Sequence, residues 1–569
     1  MKLFNKLKLW FDKQENLFYL FLAILIVPNV VLCFTEPMSA VAKVCNLLLP
    51  LSVYYLVMTW SRNCGRTFWI LFPFLFFGAF QLVLLYLFGQ SIIAVDMFLN
   101  LVTTNSSEAL ELLDNLIPAV ILVIILYIPA LVLAMVSIIK KRKLSEEFLR
   151  RERKRARIGI VIGLLSLGAA YLTDSRYELK SELYPANVCY NIGLAFHRTA
   201  LTGNYAETSK DFTYLARPLH PAEKREVYIM VVGETSRALN WSLYEYGRDT
   251  NPELTKVTGL AAFCHVLTES NTTHKSVPML LSPIDACSFD SIYHQKSIIT
   301  AFKEAGYRTA FFSNQRYNHS FIDFYGMEAD TCDFIKEDAD DSNYNPSDEE
   351  LLKLMSAELK KGATKQFIVL HTYGSHFNYR ERYPSGQAVF LPDFPVDAEV
   401  KYKDNLVNAY DNSIRYTDAF LARLIRMLQQ QNIDAAMLYT SDHGEDIFDD
   451  DRRLFLHASP VPSYYQIHVP FALWMSDSYR QTYPALQQHV QANRQKQISS
   501  SASFFHTMLE LGGVETPFRN DSLSVASPFF TEKSRVYLND HNEARSLDDI
   551  GMGEEDFEML QRQRIVFDK

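Results

Sequence analysis

The residues of this chain best suited to chemistry are carboxylates and histidines that close apolar, strand-like runs. Glu234 ends the run VYIMVVGE, and Asp442 and His443 end the run AAMLYTSDHGE. Carboxylate and imidazole together are typical ligands of Zn²⁺ and similar divalent ions. His376 in YGSHFNYRERYP and His457 in LFLHASP are further candidates, although a lone loop histidine more often serves only packing or hydrogen bonding. The pattern therefore predicts a divalent-metal site.

A threonine pair supplies a nucleophile for such a site. The stretch TESNTTHKSVPML contains Thr272 and Thr273, preceded by Asn271 in a triplet of the glycosylation form. Most Ser/Thr-rich stretches are turns or caps. A metal with an open coordination position, however, can activate a threonine hydroxyl for attack on a phosphoryl centre. The residues alone leave open whether Thr272 or Thr273 would do this.

The segments that must position these residues alternate between helical patterns and strand-like apolar runs. Helical patterns, such as residues 401–431, separate apolar runs that predict strands at 227–234, 307–314, 366–376, 435–445 and 469–476. Strand–helix alternation predicts an α/β sheet with buried strands. Ligands of such sheets gather at the carboxyl ends of the strands, where the polar residues named above lie.

The first part of the chain has a membrane composition. Up to residue 173 it holds 17 Lys+Arg and 10 Asp+Glu, whereas the remainder holds 39 and 55. About 20 apolar residues cross a bilayer as a helix. Charge-poor runs predict five spans, at about 16–35, 44–61, 67–88, 116–139 and 158–173.

Basic flanks predict the orientation of these spans. Four lysines precede the first span, ten Lys/Arg lie within 140–157, and 89–115 has neither residue. Because basic flanks stay cytoplasmic, we expect a cytoplasmic N-terminus and an exported C-terminal part, with no cleaved signal peptide. The predicted domains are a transmembrane domain (1–173), a linker (174–220) and a catalytic domain (221–569).

The ordered motifs GETSRALNWSLYEYGRDTNP, NTTHKSVP, HTYGSHFNYRERYP and YTSDHGE resemble those of the phosphoethanolamine transferases. These are bacterial inner-membrane enzymes of the alkaline phosphatase superfamily that modify lipid A and related glycans, and they include the polymyxin-resistance transferases. The resemblance covers essentially the whole chain. It implies five spans followed by a periplasmic α/β domain of the alkaline phosphatase and sulfatase type, with a central mixed sheet.

The resemblance also implies roles for individual residues. It makes Thr273 the nucleophile, and it makes Glu234, Asp442 and His443 ligands of one tightly bound zinc ion, with Thr273 completing the tetrahedron. A second zinc is left open. His376 and His457 match histidines that face the substrate. For the basic residue that the family places after the strand ending in NQ, His319 is the nearest counterpart.

Two further features follow from the same resemblance. Many relatives carry cysteines where this chain has Glu269 and Met279, so that a disulfide between Cys264 and Cys287 is an alternative staple for the nucleophile loop. Asn100, Thr104 and Glu108 follow at i, i+4 and i+8 and form one polar stripe on a helix. Such a stripe is either a solvated face or, as in the family, a site for the donor-lipid headgroup.

The expected activity is transfer of phosphoethanolamine from phosphatidylethanolamine to an envelope glycan or lipid, with lipid A as the leading acceptor, through a phospho-threonine. That reaction alters surface charge and resistance to polymyxin. The alternatives are a membrane-anchored phosphoglycerol transferase, a sulfatase-like hydrolase, and a non-catalytic membrane protein. NTTHKSVPML lacks the Cys or Ser context of a sulfatase formylglycine. We expect a monomer in the bacterial inner membrane and no nucleic-acid partner.

Overall fold

The computed structural model describes residues 10–89, 92–103, 106–174, 177–336 and 345–567, and it describes their side chains except at 87–88, 100–103 and 106–115. The chain divides into two compact units. One comprises Met1–Phe98 with Leu112–Phe196, and the other comprises Leu99–Glu111 with His197–Lys569. The two units are described separately below.

The first unit is helical. Within the described residues, four helices are long and apolar enough to cross a membrane, or five if a pair bent by 61° is one span. The predicted group of about five apolar helices is therefore confirmed. The helices are Gln14–Leu25, Val27–Thr35, Ala40–Met58, Cys64–Ile70, Phe72–Phe88, Val95–Thr103, Ser106–Ile139, Glu146–Thr173, Leu179–Glu182 and Ala186–Gly203. Three of them, Val95–Thr103, Ser106–Ile139 and Ala186–Gly203, belong in part to the second unit.

The fifth predicted span is the second half of a longer helix. The helix Glu146–Thr173 begins 12 residues before the apolar run at 158, and the Ser145 hydroxyl caps it by accepting from the Phe148 amide. Arg, Lys and Glu are good helix formers, so the basic flank continues the helix. The segment 174–220, predicted as a linker, contains helices of its own. The domain limits stay predictions.

The second unit is built on a seven-stranded sheet, as the strand–helix alternation predicted. Five of its strands are the predicted ones. We number them β1 (Glu226–Gly233), β2 (Leu260–Phe263), β3 (Arg308–Ser313), β4 (Thr331–Phe334), β5 (Lys365–His371), β6 (Asp434–Ser441) and β7 (Phe471–Met475).

The sheet is mixed, with strand order β2-β7-β6-β1-β5-β3-β4. Strand β7 runs antiparallel to both of its neighbours, whereas β6, β1, β5, β3 and β4 are mutually parallel. The carboxyl ends of these five strands consequently meet at one edge. The central strands are buried along their whole length because helices cover both faces.

The remaining elements surround this sheet. The helices are Tyr205–Thr208, Thr273–Leu280, Ile298–Glu304, Phe321–Gly326, Glu349–Leu359, Lys403–Gln430, Tyr464–Ile467, Asp477–Thr482, Pro484–Asn493, Ser500–Leu511 and Glu554–Arg562. Short pairs of strands join Arg217–Pro218 to Val514–Glu515, Asp446–Ile447 to Phe455–Leu456, Val266–Leu267 to Ile498–Ser499, and Val536–Leu538 to Ala544–Ser546.

Candidate metal and phosphoryl-transfer site

The three predicted metal ligands come together at the carboxyl edge of the sheet. Gly233 of β1 pairs with Ser441 of β6, so that the next residues, Glu234 and Asp442, leave the sheet side by side. One ligand atom from each of Glu234, Asp442 and His443 lies within 4.8 Å of the others, and all three residues are buried. Parallel pairing of two strands with polar ends is thus sufficient to assemble the cluster.

The backbone after β5 also closes on this cluster. Gly374 has φ +48°, and a Cβ there would lie 2.6 Å from the carbonyl oxygen of Glu234. Ser375 donates its amide hydrogen to the same oxygen at 3.0 Å. Only glycine permits this approach, and it places the segment carrying His376 beside the cluster.

Thr273, rather than Thr272, faces the ligands. The Oγ1 atom of Thr273 lies 3.1 Å from Nε2 of His443 and 3.3 Å from Oε1 of Glu234. The Thr272 hydroxyl lies instead 3.2 Å from the hydroxyl of Ser270. Thr273 is also the first residue of the helix Thr273–Leu280. The positive end of a helix dipole favours negative charge on an oxygen at this position.

The donor set fits a divalent cation such as zinc. The Nδ1 atom of His443 lies 2.9 Å from the Gly444 carbonyl and therefore carries the proton. Its Nε2 lies 3.2 Å from Oδ2 of Asp442 and 3.5 Å from Oε1 of Glu234. Burial opposes charge on this ring, but the Asp442 and Glu234 carboxylates raise the pKa of His443. Three ligand atoms thus converge on one point, where a divalent cation in place of the second His443 proton would balance the two carboxylates.

The charges of the cluster reinforce this conclusion. Burial raises the pKa of Glu234, and the neighbouring Asp442 carboxylate raises it further. Burial likewise raises the pKa of Asp442. Two neighbouring buried carboxylates are stable as anions only where positive charge balances them, and a divalent cation bound here would provide it.

Both substrate-facing histidines of the prediction lie near the cluster. The ring of His457 stands 4.1 Å from that of His443, centroid to centroid, and 6.2 Å from that of His376. The Nδ1 atom of His457 lies 3.3 Å from Oε1 of the buried Glu445, which orients the ring. Burial lowers the pKa of His457 to about 3, and burial also lowers the pKa of His376. Both rings are consequently neutral bases near pH 7.

Two residues that the sequence did not single out also belong to the site. The Gln315 side chain donates to Oε2 of Glu234 at 2.8 Å, and its Nε2 lies 3.3 Å from Nε2 of His371. Burial lowers the pKa of His371 to about 3. Gln315 follows β3 and His371 ends β5, so that the rule of polar residues at strand ends could have found both.

The weaker predictions have different outcomes. His319 is exposed and packs edge-on against the ring of Tyr317, with centroids 4.7 Å apart. The role expected of His319, the basic residue after the strand ending in NQ, stays a prediction. Thr104 lies outside the described residues, and so do the side chains of Asn100 and Glu108. The lipid stripe stays a prediction.

The alternative disulfide is wrong. All seven cysteines lie among the described residues and are free thiols, with Cys287 exposed. Glu269 holds the segment that carries Thr273 in place instead. Its carboxylate accepts from the Ala286 amide at 2.7 Å and from the Ser499 hydroxyl at 2.5 Å, and its carbonyl accepts from the Leu538 amide at 2.7 Å. Hydrogen bonds of Glu269, rather than a disulfide, thus hold this segment.

A mixed α/β sheet with a carboxylate–histidine cluster and a threonine at its carboxyl edge is the arrangement expected of the alkaline phosphatase superfamily. A comparison with protein families agrees, because the sulfatase family matches residues 226–514, slightly more than half of the chain. The chain therefore belongs to the sulfatase family.

Relatives confirm the resemblance to phosphoethanolamine transferases. The chain is 31% identical over 310 residues to phosphoethanolamine transferase EptA of Escherichia coli K12, covering 53% of this chain and 56% of that protein. It is 26% identical over 336 residues to EptC of the same strain, covering 56% of each. The matched region thus spans about half the length of these relatives.

Solved structures extend the likeness. The periplasmic domain of E. coli EptC, solved in complex with Zn, superimposes with a TM-score of 0.53 at 25% identity, covering 58% of this chain and 95% of that one. The integral membrane protein EptA from Neisseria meningitidis superimposes with a TM-score of 0.70 at 20% identity, covering 89% and 98%. The latter likeness shows that the fold includes the helical part.

Proposed function

We propose that this protein transfers phosphoethanolamine from phosphatidylethanolamine to a cell-envelope acceptor, with lipid A as the leading acceptor. The observation that carries the proposal is the Thr273 hydroxyl, 3.1 Å from His443 and 3.3 Å from Glu234 at the start of a helix. Several relatives are named phosphoethanolamine transferases, which favours this group over phosphoglycerol or sulfate.

The reaction has two steps. In the first, Oγ1 of Thr273 forms a bond to the donor phosphorus, the bond to the diacylglycerol oxygen breaks, and that oxygen leaves with a proton. In the second, an acceptor oxygen attacks the same phosphorus, the Thr273–phosphorus bond breaks, and the threonine regains a proton. We assign the accepting and returning of these protons to the neutral rings of His376 and His457, and the 4.1 Å between the rings of His457 and His443 supports this role for His457.

Glu234, Asp442 and His443 would hold one zinc ion, with the Thr273 oxygen beside it. When bound, zinc supplies Lewis-acid stabilisation of the negative charge on the phosphoryl oxygens. Gln315 holds the Glu234 carboxylate in place, and Glu445 orients His457. We place the protein in a bacterial inner membrane with this domain in the periplasm, where the reaction changes surface charge and resistance to polymyxin.

The test uses the full chain in liposomes with labelled phosphatidylethanolamine, lipid A as acceptor, and mass spectrometry of the peptide that contains Thr273. We expect Thr273→Ala to lose the phosphoethanolamine adduct and to lower transfer on the order of 10³-fold or more, because no other oxygen replaces the nucleophile. Thr272→Ala is the matched control and should keep the adduct. Transfer that survives in Thr273→Ala, or labelling from phosphatidylglycerol instead, would refute the proposal.

A further inference from the structure

The segment 384–396 exposes an unusual amount of apolar surface. It connects the region after His376 to the long helix Lys403–Gln430, and its sequence is PSGQAVFLPDFPV. The exposed fractions of Val389, Leu391 and Phe394 are 52%, 65% and 69%. Exposed apolar clusters of this kind mark contacts with proteins or membranes.

The exposure of these apolar side chains is not due to a lack of order in the loop. Side chains of the long helix hydrogen-bond to the loop backbone and hold it in place. Asn405, Asn408 and Asn412 are spaced by three and four residues and so share one helix face. The Asn405 amide donates to the Pro395 carbonyl at 3.0 Å, and the Asn408 amide donates to the Pro392 carbonyl at 2.8 Å.

Asn412 makes the densest set of these bonds. Its Oδ1 accepts from the backbone amides of Val389 and Phe390, each at 2.9 Å, and its Nδ2 donates to the Phe390 carbonyl at 2.9 Å. Asparagine side chains thus satisfy the backbone of the loop in place of a sheet partner. The backbone is fixed while its apolar side chains stay outside.

The one charged group of the segment lies on the inner side, whereas Ser385 and Gln387 near its start are exposed. Asp393 is buried, accepts from the Tyr383 hydroxyl at 2.8 Å, and lies 3.0 Å from Nε of Arg380. The Phe390 ring packs against the guanidinium of Arg248 at 4.1 Å. Asp393 is the single charged residue of the segment, so that its exposed surface carries no charge.

We propose that segment 384–396 contacts the bilayer surface, with Val389, Leu391 and Phe394 entering the boundary between headgroups and acyl chains. The described residues include four or five helices able to cross a membrane, so that a bilayer is the apolar phase to which this unit is tethered. Entry into that boundary favours apolar side chains and penalises charge. A glycan partner would require exposed hydrogen-bonding side chains, and the part 388–396 has a single polar side chain, Asp393, which is buried.

The test places a tryptophan probe on the loop of the full chain in nanodiscs. We compare Phe394→Trp with the matched control Met327→Trp, since Met327 is 50% exposed and lies outside the loop. In nanodiscs with brominated acyl chains, the emission added by Trp at 394 should fall by about half, as expected for a depth of about 5–10 Å, and the emission added at 327 should not.

Either of two outcomes overturns the proposal. If bromine quenches both probes equally, the loop makes no specific contact with lipid. If the probe at 394 is protected from aqueous iodide but not quenched by bromine, a protein or a second copy of this chain covers the loop. Unchanged thermal unfolding midpoints of the two variants establish that each remains folded.

Discussion

Two buried glutamates stand at opposite ends of one strand and have opposite surroundings. Glu226 opens β1, and Glu234 directly follows its last residue. The Glu226 carboxylate lies 2.6 Å from Nζ of Lys365 and 3.1 Å from Nδ1 of His220, and the Tyr483 hydroxyl donates to it at 2.9 Å. Glu234 lies beside Asp442 and the imidazole of His443.

The pKa values of the two carboxyl groups diverge accordingly. Burial alone would raise the pKa of Glu226, but hydrogen bonds from His220 and Lys365 lower it to about 2. Burial and the Asp442 charge raise the pKa of Glu234. At the amino end of the strand, Lys365 and His220 neutralise the charge of Glu226. At the carboxyl end, Glu234 and Asp442 lie close together, and a bound cation would balance their negative charge. The first end favours stability, and the second is the end to which we assign the chemistry.

The largest expected effect comes from removing the charge at the carboxyl end. Glu234→Gln should lower the transfer rate about 10³-fold, because it would remove a proposed metal ligand where charge develops on the phosphoryl group. Initial rates in liposomes measure this. Glu226→Gln is the matched control, and a rate within about threefold of wild type is expected because that end touches no reacting atom. Equal losses of transfer rate in the two variants would show that the two ends of the strand do not differ in function.

For stability, we expect the substitution at Glu226 to have the larger effect. Glu226→Gln leaves Lys365 buried without its counter-charge. The free energy of unfolding should therefore fall by about 3 kcal/mol. The thermal unfolding midpoint of the full chain in detergent should fall by several degrees. The double variant Glu226→Gln/Lys365→Met should recover most of the loss, and an unchanged midpoint in the single variant would show that the ion pair is dispensable.

A smaller effect concerns Glu269, the residue that holds the nucleophile segment. Burial raises its pKa to about 7 from the ordinary 4.5. Between these values the folded state keeps a proton that the unfolded chain has lost, so stability falls as pH rises from about 4.5 to 7. Glu226 has the opposite sign, and its contribution is lost only as pH falls from about 4.5 to 2.

Glu269→Gln separates this titration from the geometry, because the amide can still accept from Ala286 and donate to Ser499. We expect unfolding midpoints measured from pH 5 to 8 to decline in the wild type by a few degrees more than in Glu269→Gln. An identical pH dependence in the two proteins would contradict the assignment.

The smallest effects distinguish two neighbours on the loop after β3. Gln315→Ala removes the hydrogen bond that holds Glu234, so transfer should fall about tenfold, as is typical when a ligand loses its outer-shell partner. His319→Ala should change the rate less than about twofold, since surface substitutions away from a site have little effect. A larger loss in His319→Ala would restore the role predicted for it.

The sequence revealed the strand ends because each apolar run closes on a polar residue, and parallel pairing then brings Glu234 and Asp442 together. Gln315 was missed because glutamine is a weak signal for a metal site. The clamp by Glu269 has partners 17 and 230 residues away, which no local pattern reveals. Thr273 was expected in a loop, but it begins a helix that accommodates Pro278, a residue that usually argues against one.

Zinc titration of the metal-free full chain tests the contrast between the two ends most directly. Isothermal calorimetry and elemental analysis should give one tightly bound zinc ion per chain for the wild type and for Glu226→Gln, and none for Glu234→Gln. Tight zinc binding that persists in Glu234→Gln, or that disappears in Glu226→Gln, would contradict the assignment of the carboxyl end of β1 as the metal site.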